Sequence, residues 1–186
     1  MTKQEKLYLL LQHSIIETDR LVLRPFNLED AEDLFLITSD KEVVNYVFPP
    51  HQAMSEVNIL LSTFYMKEPI GKYAVVYKEN NKLIGTCELH LLNNPLNAEI
   101  GYLLNKTYWG KGLIPEALNA LLNLAFTELN LNRVEAKFNE LNANSERVLK
   151  KIGMQKEGIF RDNSMMNNEL INDVQYAITK RDYFRA

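Results

Sequence analysis

Residues 108–117 read Tyr108-Trp109-Gly110-Lys111-Gly112-Leu113-Ile114-Pro115-Glu116-Ala117. Pro115 has a fixed φ and no N–H, both suited to the first turn of a helix, and Glu116 places a negative charge at the helix's positive end. A helix opening at Pro115 is therefore predicted. Leu118, Leu121, Leu122, Ala125 and Leu129 follow at helical spacing, so one apolar face runs from Pro115 to Asn130 and needs a sheet to pack on. Ahead of it, Gly110 and Gly112 flank Lys111, and the backbone there can turn sharply and approach a ligand with no Cβ in the way. Unpaired helix-start amides with a lysine among them form a site for phosphate or pyrophosphate. A lone Gly-x-Gly is a weak signal, so its weight depends on the surrounding chain.

The chain has 186 residues, which is most simply one domain that buries about two thirds of its unfolded surface. Residues 1–13, with Lys and Glu among Leu7, Leu9, Leu10 and Leu11, read as an N-terminal appendage, a short helix without chemistry; residues 14–186 form the domain. The net charge of -3 comes from mixed charges without a basic run, which argues against nucleic acid as a direct partner. Cys87 is the only cysteine. That excludes an intrachain disulfide and a cysteine-rich metal site, fits a reducing compartment, and makes Cys87 a small buried hydrophobe. No apolar run is long enough to span a bilayer, and Leu7–Leu11 lacks the flanks of a signal peptide. A cytoplasmic protein with no metal and no membrane partner is expected.

In chain order, Ser14 to Arg24 alternates as a strand that Pro25 stops. Asn27 caps a helix from Leu28 that ends at Ser39 and Asp40. Phe48-Pro49-Pro50-His51 is a stiff loop, and a second helix covers Met54 to Lys67. Tyr73–Tyr77 and Leu83–Leu91 read as strands around a turn at Glu79-Asn80-Asn81-Lys82, followed by a third strand, Ala98–Leu104. After the central helix come a strand from Arg133 to Phe138, a helix from Asn142 to Ile152 stopped by Gly153, and strands Gln155–Arg161 and Asp173–Thr179 around an Asn167-Asn168 turn. The class is α/β (α+β).

Four separated blocks then resemble the GNAT superfamily of N-acetyltransferases, in its ribosomal-protein (serine/alanine) N-terminal acetyltransferase branch. They are Glu17-Thr18-Asp19-Arg20-Leu21 with Leu23-Arg24; Ala98-Glu99-Ile100-Gly101-Tyr102; Trp109-Gly110-Lys111-Gly112 with Glu116-Ala117; and Asn142-x-x-Ser145 running into Leu149, Lys151 and Gly153. Glu157-Gly158 and Arg161 continue the pattern. The resemblance implies a single domain with a mixed, mostly antiparallel twisted sheet of about seven strands flanked by helices, its central strands splayed into an acetyl-CoA cleft. It further implies that Gly110–Ile114 hold the pyrophosphate, with Trp109 under the loop, and that Tyr102, Leu103 and Leu104 pair with the pantetheine arm through main-chain hydrogen bonds. Asn142 matches the asparagine near the pantetheine, and Ser145 the position by the thioester sulfur. Ile114 departs from the family's usual Gly or Ala and would narrow the approach to phosphate. Dimers recur in the family, so a homodimer is an expected state.

Acetyl transfer to an amine needs a neutral amine, a held thioester, donors for the developing oxyanion and an acid for the departing thiolate. Glu99 is the first candidate base, with a hydrogen-bonded structural carboxylate as the alternative. Glu88 and His90, sharing one face of the preceding strand, are the second. Ser145 is the acid by resemblance, though its hydroxyl could equally cap the helix. Tyr46, Phe48 and His51 lie where the family builds its acceptor wall. The leading expectation is an acetyl-CoA-dependent N-acetyltransferase acting on a protein N-terminal α-amine. Its rivals are a small-molecule acetyltransferase for polyamines, aminoglycosides or amino acids, and a non-catalytic acyl-CoA-binding module. A dinucleotide-binding domain is excluded because Gly112 is not followed by the third glycine and no parallel strand-helix repeat precedes it.

Overall fold

In the computed structural model the described residues are 1–166 and 168–185, so Asn167 of the predicted Asn167-Asn168 turn lies outside them. The strands are β1 (Ile16–Glu17), β2 (Leu21–Arg24), β3 (Lys72–Tyr77), β4 (Lys82–Leu91), β5 (Asn97–Leu104), β6 (Arg133–Asn139), β7 (Gln155–Met166) and β8 (Glu169–Thr179). They form one sheet in the order β1-β2-β3-β4-β5-β6-β8-β7. Every neighbouring pair is antiparallel except β5 and β6. The helices are α1 (Lys3–Gln12), α2 (Ala31–Thr38), α3 (Lys41–Val44), α4 (Met54–Leu60), α5 (Leu113–Thr127), α6 (Ala143–Lys151) and α7 (Lys180–Tyr183).

Eight strands replace the expected seven because Ser14–Arg24 is two strands. Thr18 turns the chain: its N–H donates to Leu21 O (3.0 Å) and its hydroxyl accepts from Leu21 N–H (3.0 Å). The last hairpin is also longer than its apolar pattern showed. Between Arg161 and Asn172 none of Met165, Met166, Leu170 and Ile171 is buried, so that part of β7 and β8 is held by backbone pairing without a buried face to mark it.

Apolar side chains cover both faces of the sheet. On one lies α5, whose Leu118, Leu121, Leu122, Ala125 and Phe126 are wholly buried. They pack with Leu21, Leu23, Val75, Ile84 and Cys87 from the strands. The N-terminal segment read as an appendage adds Leu10 to this core and seals its edge with Lys6, whose ammonium donates to Pro95 O (2.5 Å). Cys87 is 0% exposed, and burial pushes its thiol up. The opposite face carries Leu34 and Ile37 of α2, Val57 of α4, and Leu61 and Tyr65 of a π-helical turn that continues α4. That turn replaces the last part of the predicted second helix, and Lys72 Nζ takes up the Phe64 carbonyl (2.6 Å).

The central helix begins at Leu113, two residues before the prediction. Pro115 fits its third position, since amides of the first turn need no helical partner. Gly112 precedes it at φ +75°, and Gly110 stands at φ +76°.

Arg20, in the β1–β2 turn, latches this helix start. Its Nε and Nη2 each meet Glu116 Oε2 at 2.6 Å, and its Nη1 donates to Lys111 O at 3.0 Å. Its N–H and the Thr18 hydroxyl both donate to Glu116 Oε1, at 2.9 and 2.6 Å. Burial pushes the Glu116 carboxyl up, but the hydrogen bonds from Thr18 and Arg20 outweigh it and hold the group below its ordinary value. A carboxyl depressed in the folded state adds stability above its unfolded pKa, and this is lost as pH falls through the folded value.

Glu116→Gln is therefore expected to lower unfolding stability at pH 7 by about 1–2 kcal/mol. Urea titrations should show that deficit shrinking as the pH falls below about 4; a deficit constant with pH would contradict the ionised latch. Leu121→Ala, at a position with 0% exposure, is expected to cost about 2–5 kcal/mol in the same measurement.

Candidate active site

β5 and β6 are paired only at Asn97 with Arg133, Ala98 with Val134 and Glu99 with Glu135. Past Glu99 they part. β5 stays bonded to β4 as far as Leu104, while β6 stays bonded to β8 as far as Asn139. From Ile100 to Leu104, β5 thus has an edge that no strand covers, free to hydrogen-bond an extended ligand. α6 stands across the gap, and a cavity of about 310 Å³ opens there.

Tyr102, Leu103, Leu104, Trp109, Gly110, Gly112, Leu113, Ile114, Asn142 and Ser145 all line this cavity. Of the predicted coenzyme residues, only Lys111 does not: its ammonium lies over the Tyr108 ring, 5.0 Å from the centroid. Trp109 Nε1 donates to Leu104 O (2.9 Å), fastening the loop to the end of β5. Ile114 is 2% exposed and belongs to the core, so its β-branched side chain packs inward beneath the helix start. Gly110 has nothing within 4 Å of where a Cβ would stand, whereas a Cβ on Gly112 would meet Lys151 Nζ at 3.5 Å and Arg20 Nη2 at 3.9 Å.

On the far wall, Asn142 Oδ1 accepts from Ser145 N–H (3.1 Å) and caps α6. Asparagine therefore does the capping that the serine hydroxyl could have done. Ser145 sits in the first turn of α6, and its carbonyl accepts the Tyr102 hydroxyl (3.1 Å), a bridge across the cleft. Burial pushes the Tyr102 phenol up, so it stays a donor.

Glu99 is half-buried and lies outside the cavity, at the point where the strands part, opposite His90 on β4 and Glu135 on β6. Glu88 Oε2 meets His90 Nε2 at 2.5 Å. Because residue 101 is glycine, the Glu88 carboxylate can reach to 3.8 Å from its Cβ position. In the expected acceptor wall, Tyr46 lines the cavity with Glu42, Val43 and Val47. Phe48 and His51 do not line it; they pack on each other with ring centroids 5.5 Å apart.

The residues present fit an elongated thioester coenzyme carrying a diphosphate. Bare amides and open glycine positions meet at one end, a free strand edge runs along the middle, and a hydroxyl stands on the opposite wall. Sequence reasoning missed α3, a single turn capped by Asp40 that brings Glu42 and Val43 to the cavity. It also gave no role to Arg20 or Lys151. The Arg20 contacts span more than 90 positions in sequence and leave no local trace. Lys151 was legible in principle, since Asn144, Val148 and Lys151 recur at helical spacing on one face of α6.

No helix among the described residues is long and apolar enough to cross a membrane. The family described as "Acetyltransferase (GNAT) domain" matches residues 20–155. An uncharacterised N-acetyltransferase of Bacillus licheniformis, p20, is 35% identical over 89% of this chain and 96% of its own length. Some relatives carry names that state an acceptor. YdaF of Bacillus subtilis, provisionally named a ribosomal N-acetyltransferase, is 37% identical over 56% of this chain and 57% of its own. The spermidine N(1)-acetyltransferase of Escherichia coli is 24% identical over 87% of each chain. A GNAT-family acetyltransferase structure from Bacillus anthracis superposes with a TM-score of 0.82 at 29% identity, covering 90% of this chain and 99% of the other. With a splayed sheet, a glycine loop at a helix start and these likenesses together, the chain belongs to the GNAT family and is an acetyl-CoA-dependent N-acetyltransferase.

Proposed function

We propose that the acceptor is the α-amine of a protein N-terminus, taken in the cytoplasm, and that Glu99 and Ser145 carry the proton transfers. The observation that supports it is the open sheet face beside the cleft. Glu99, Glu135, Lys137 and Gln175 lie side by side across β5, β6 and β8, and α2 and α4 pack over the other half of the sheet. That face continues to Phe160 on the exposed β7–β8 hairpin. It offers room for a chain extending beyond its amine, and the name of YdaF points the same way.

Acetyl-CoA supplies an activated acetyl group with a thiol as its leaving group. Glu99, at the fork, takes the proton from the incoming ammonium, directly or through a water, and leaves a neutral nucleophile. Amides along the uncovered edge of β5, from Tyr102 to Leu104, are the available donors to a developing oxyanion. Ser145 Oγ, alone or as the relay for a water, gives its proton to the departing sulfur and is reprotonated by the proton that the acylated nitrogen sheds. Asn142 holds the helix turn that carries this serine, and Tyr102 holds the turn at its carbonyl. A second reading of the base has its own support: Glu88 Oε2 and His90 Nε2 are in contact at 2.5 Å, a carboxylate–imidazole pair beside the same strand.

Glu99→Gln is expected to lower kcat by about 10²–10³-fold while leaving CoA affinity unchanged, and Ser145→Ala by about 10²-fold. If Glu88→Gln abolishes turnover while Glu99→Gln does not, the second reading replaces the first. Acceptor class is tested by mass spectrometry after incubation with acetyl-CoA and a mixture of free-N-terminus peptides, Nα-blocked lysine peptides and spermidine. Acetylation is expected on the peptide α-amines; modification of spermidine alone would overturn the N-terminal assignment.

A further inference from the structure

Lys151, the last residue of α6, reaches across the mouth of the cleft to the start of α5. Its Nζ lies 3.5 Å from the Cβ position of Gly112, with Arg20 Nη2 3.9 Å from the same point. The two cations differ in their surroundings. Arg20 is balanced by Glu116 at 2.6 Å, and the neighbouring Lys150 by Glu146 at 2.9 Å. Lys151 has no carboxylate partner among the described residues. Its ammonium instead faces the positive end of α5, where the amides of Gly112, Leu113 and Ile114 have no helical acceptor and Pro115 has no N–H at all. Uncompensated positive charge from two elements thus converges on one side of the cavity that Lys151 lines. An anion placed there would relieve it.

We infer that Lys151 Nζ is a direct ligand of the coenzyme's diphosphate, an inference that rests on the cavity being the coenzyme site. Lys111 points elsewhere in this structure, its ammonium over the Tyr108 ring. A diphosphate bonded both to the amides of α5 and to Lys151 ties the two helices together across the splay. Because Ser145 rides on the first turn of the same α6, coenzyme binding also steadies the wall that carries the acid.

Calorimetric titration of the full chain with CoA, with 3′-dephospho-CoA and, by displacement, with pantetheine tests this. Lys151→Ala is expected to weaken CoA and dephospho-CoA equally, by about tenfold or more. It should leave pantetheine unchanged and flatten the salt dependence of CoA binding, while Lys151→Arg restores most of the affinity. CoA affinity in Lys151→Ala within twofold of wild type would overturn the inference. So would a loss seen with CoA but not with dephospho-CoA, which would move the ammonium to the ribose phosphate, or an equal loss with pantetheine, which would mark a merely structural lysine. Displacement of CoA from the wild type by inorganic pyrophosphate is expected, and its failure would sink the cleft assignment itself. If pyrophosphate competes and Lys151→Ala binds CoA normally, only the role of Lys151 falls.

Discussion

Asn97, Ala98 and Glu99 are the residues of β5 bridged to β6, and the division of labour in this protein follows from that short seam. Antiparallel partners on either side hold the two strands fast, β4 from Ala98 to Leu104 of β5 and β8 along the whole of β6. Neither can bend to follow the other. Parallel neighbours need a crossover between them, and α5 supplies it with a face wide enough to bury ten of its residues under the sheet. At the closed end of the seam Arg133 is held by both Glu135 and Glu157. The fork is thus built from paired strands, a buried helix and an ion network.

Charge is sorted along the two sides of the fork. The glycine loop, the start of α5 and the end of Lys151 make one side positive, while Arg20 is balanced there by Glu116. The sheet face beyond Glu99 carries Glu88, Glu99 and Glu135, with His90 and Lys137 among them and Glu135 paired with Arg133 and Lys137. An anionic coenzyme tail is thereby favoured on the side of the glycine loop and disfavoured on the side of Glu99.

Legibility in the sequence followed the length scale of the forces involved. Helix α5 could be read because its apolar face repeats locally, and β3, β4 and β5 because each is a run rich in β-forming residues bounded by short turns. Its start was misplaced by two residues because Pro115 is equally at home in the first and third helical positions. The β1–β2 turn was missed because Thr18 makes it with a side-chain hydrogen bond, without glycine or proline to mark it. Ten of the eleven residues expected to hold coenzyme line one cavity, since they fall on elements whose order fixes where they meet. Lys111, Lys151 and Arg20 were harder, because a long cationic side chain finds its partner only once distant elements have packed.

Cys87 has a consequence beyond its place in the core. Any enzyme that handles thioesters risks losing the acyl group to its own sulfur, by exchange with a nearby thiolate. Here the sole thiol lies beneath the central helix with no solvent access, and its burial keeps it in the unreactive protonated form. Self-acylation at sulfur is thereby shut off by packing alone.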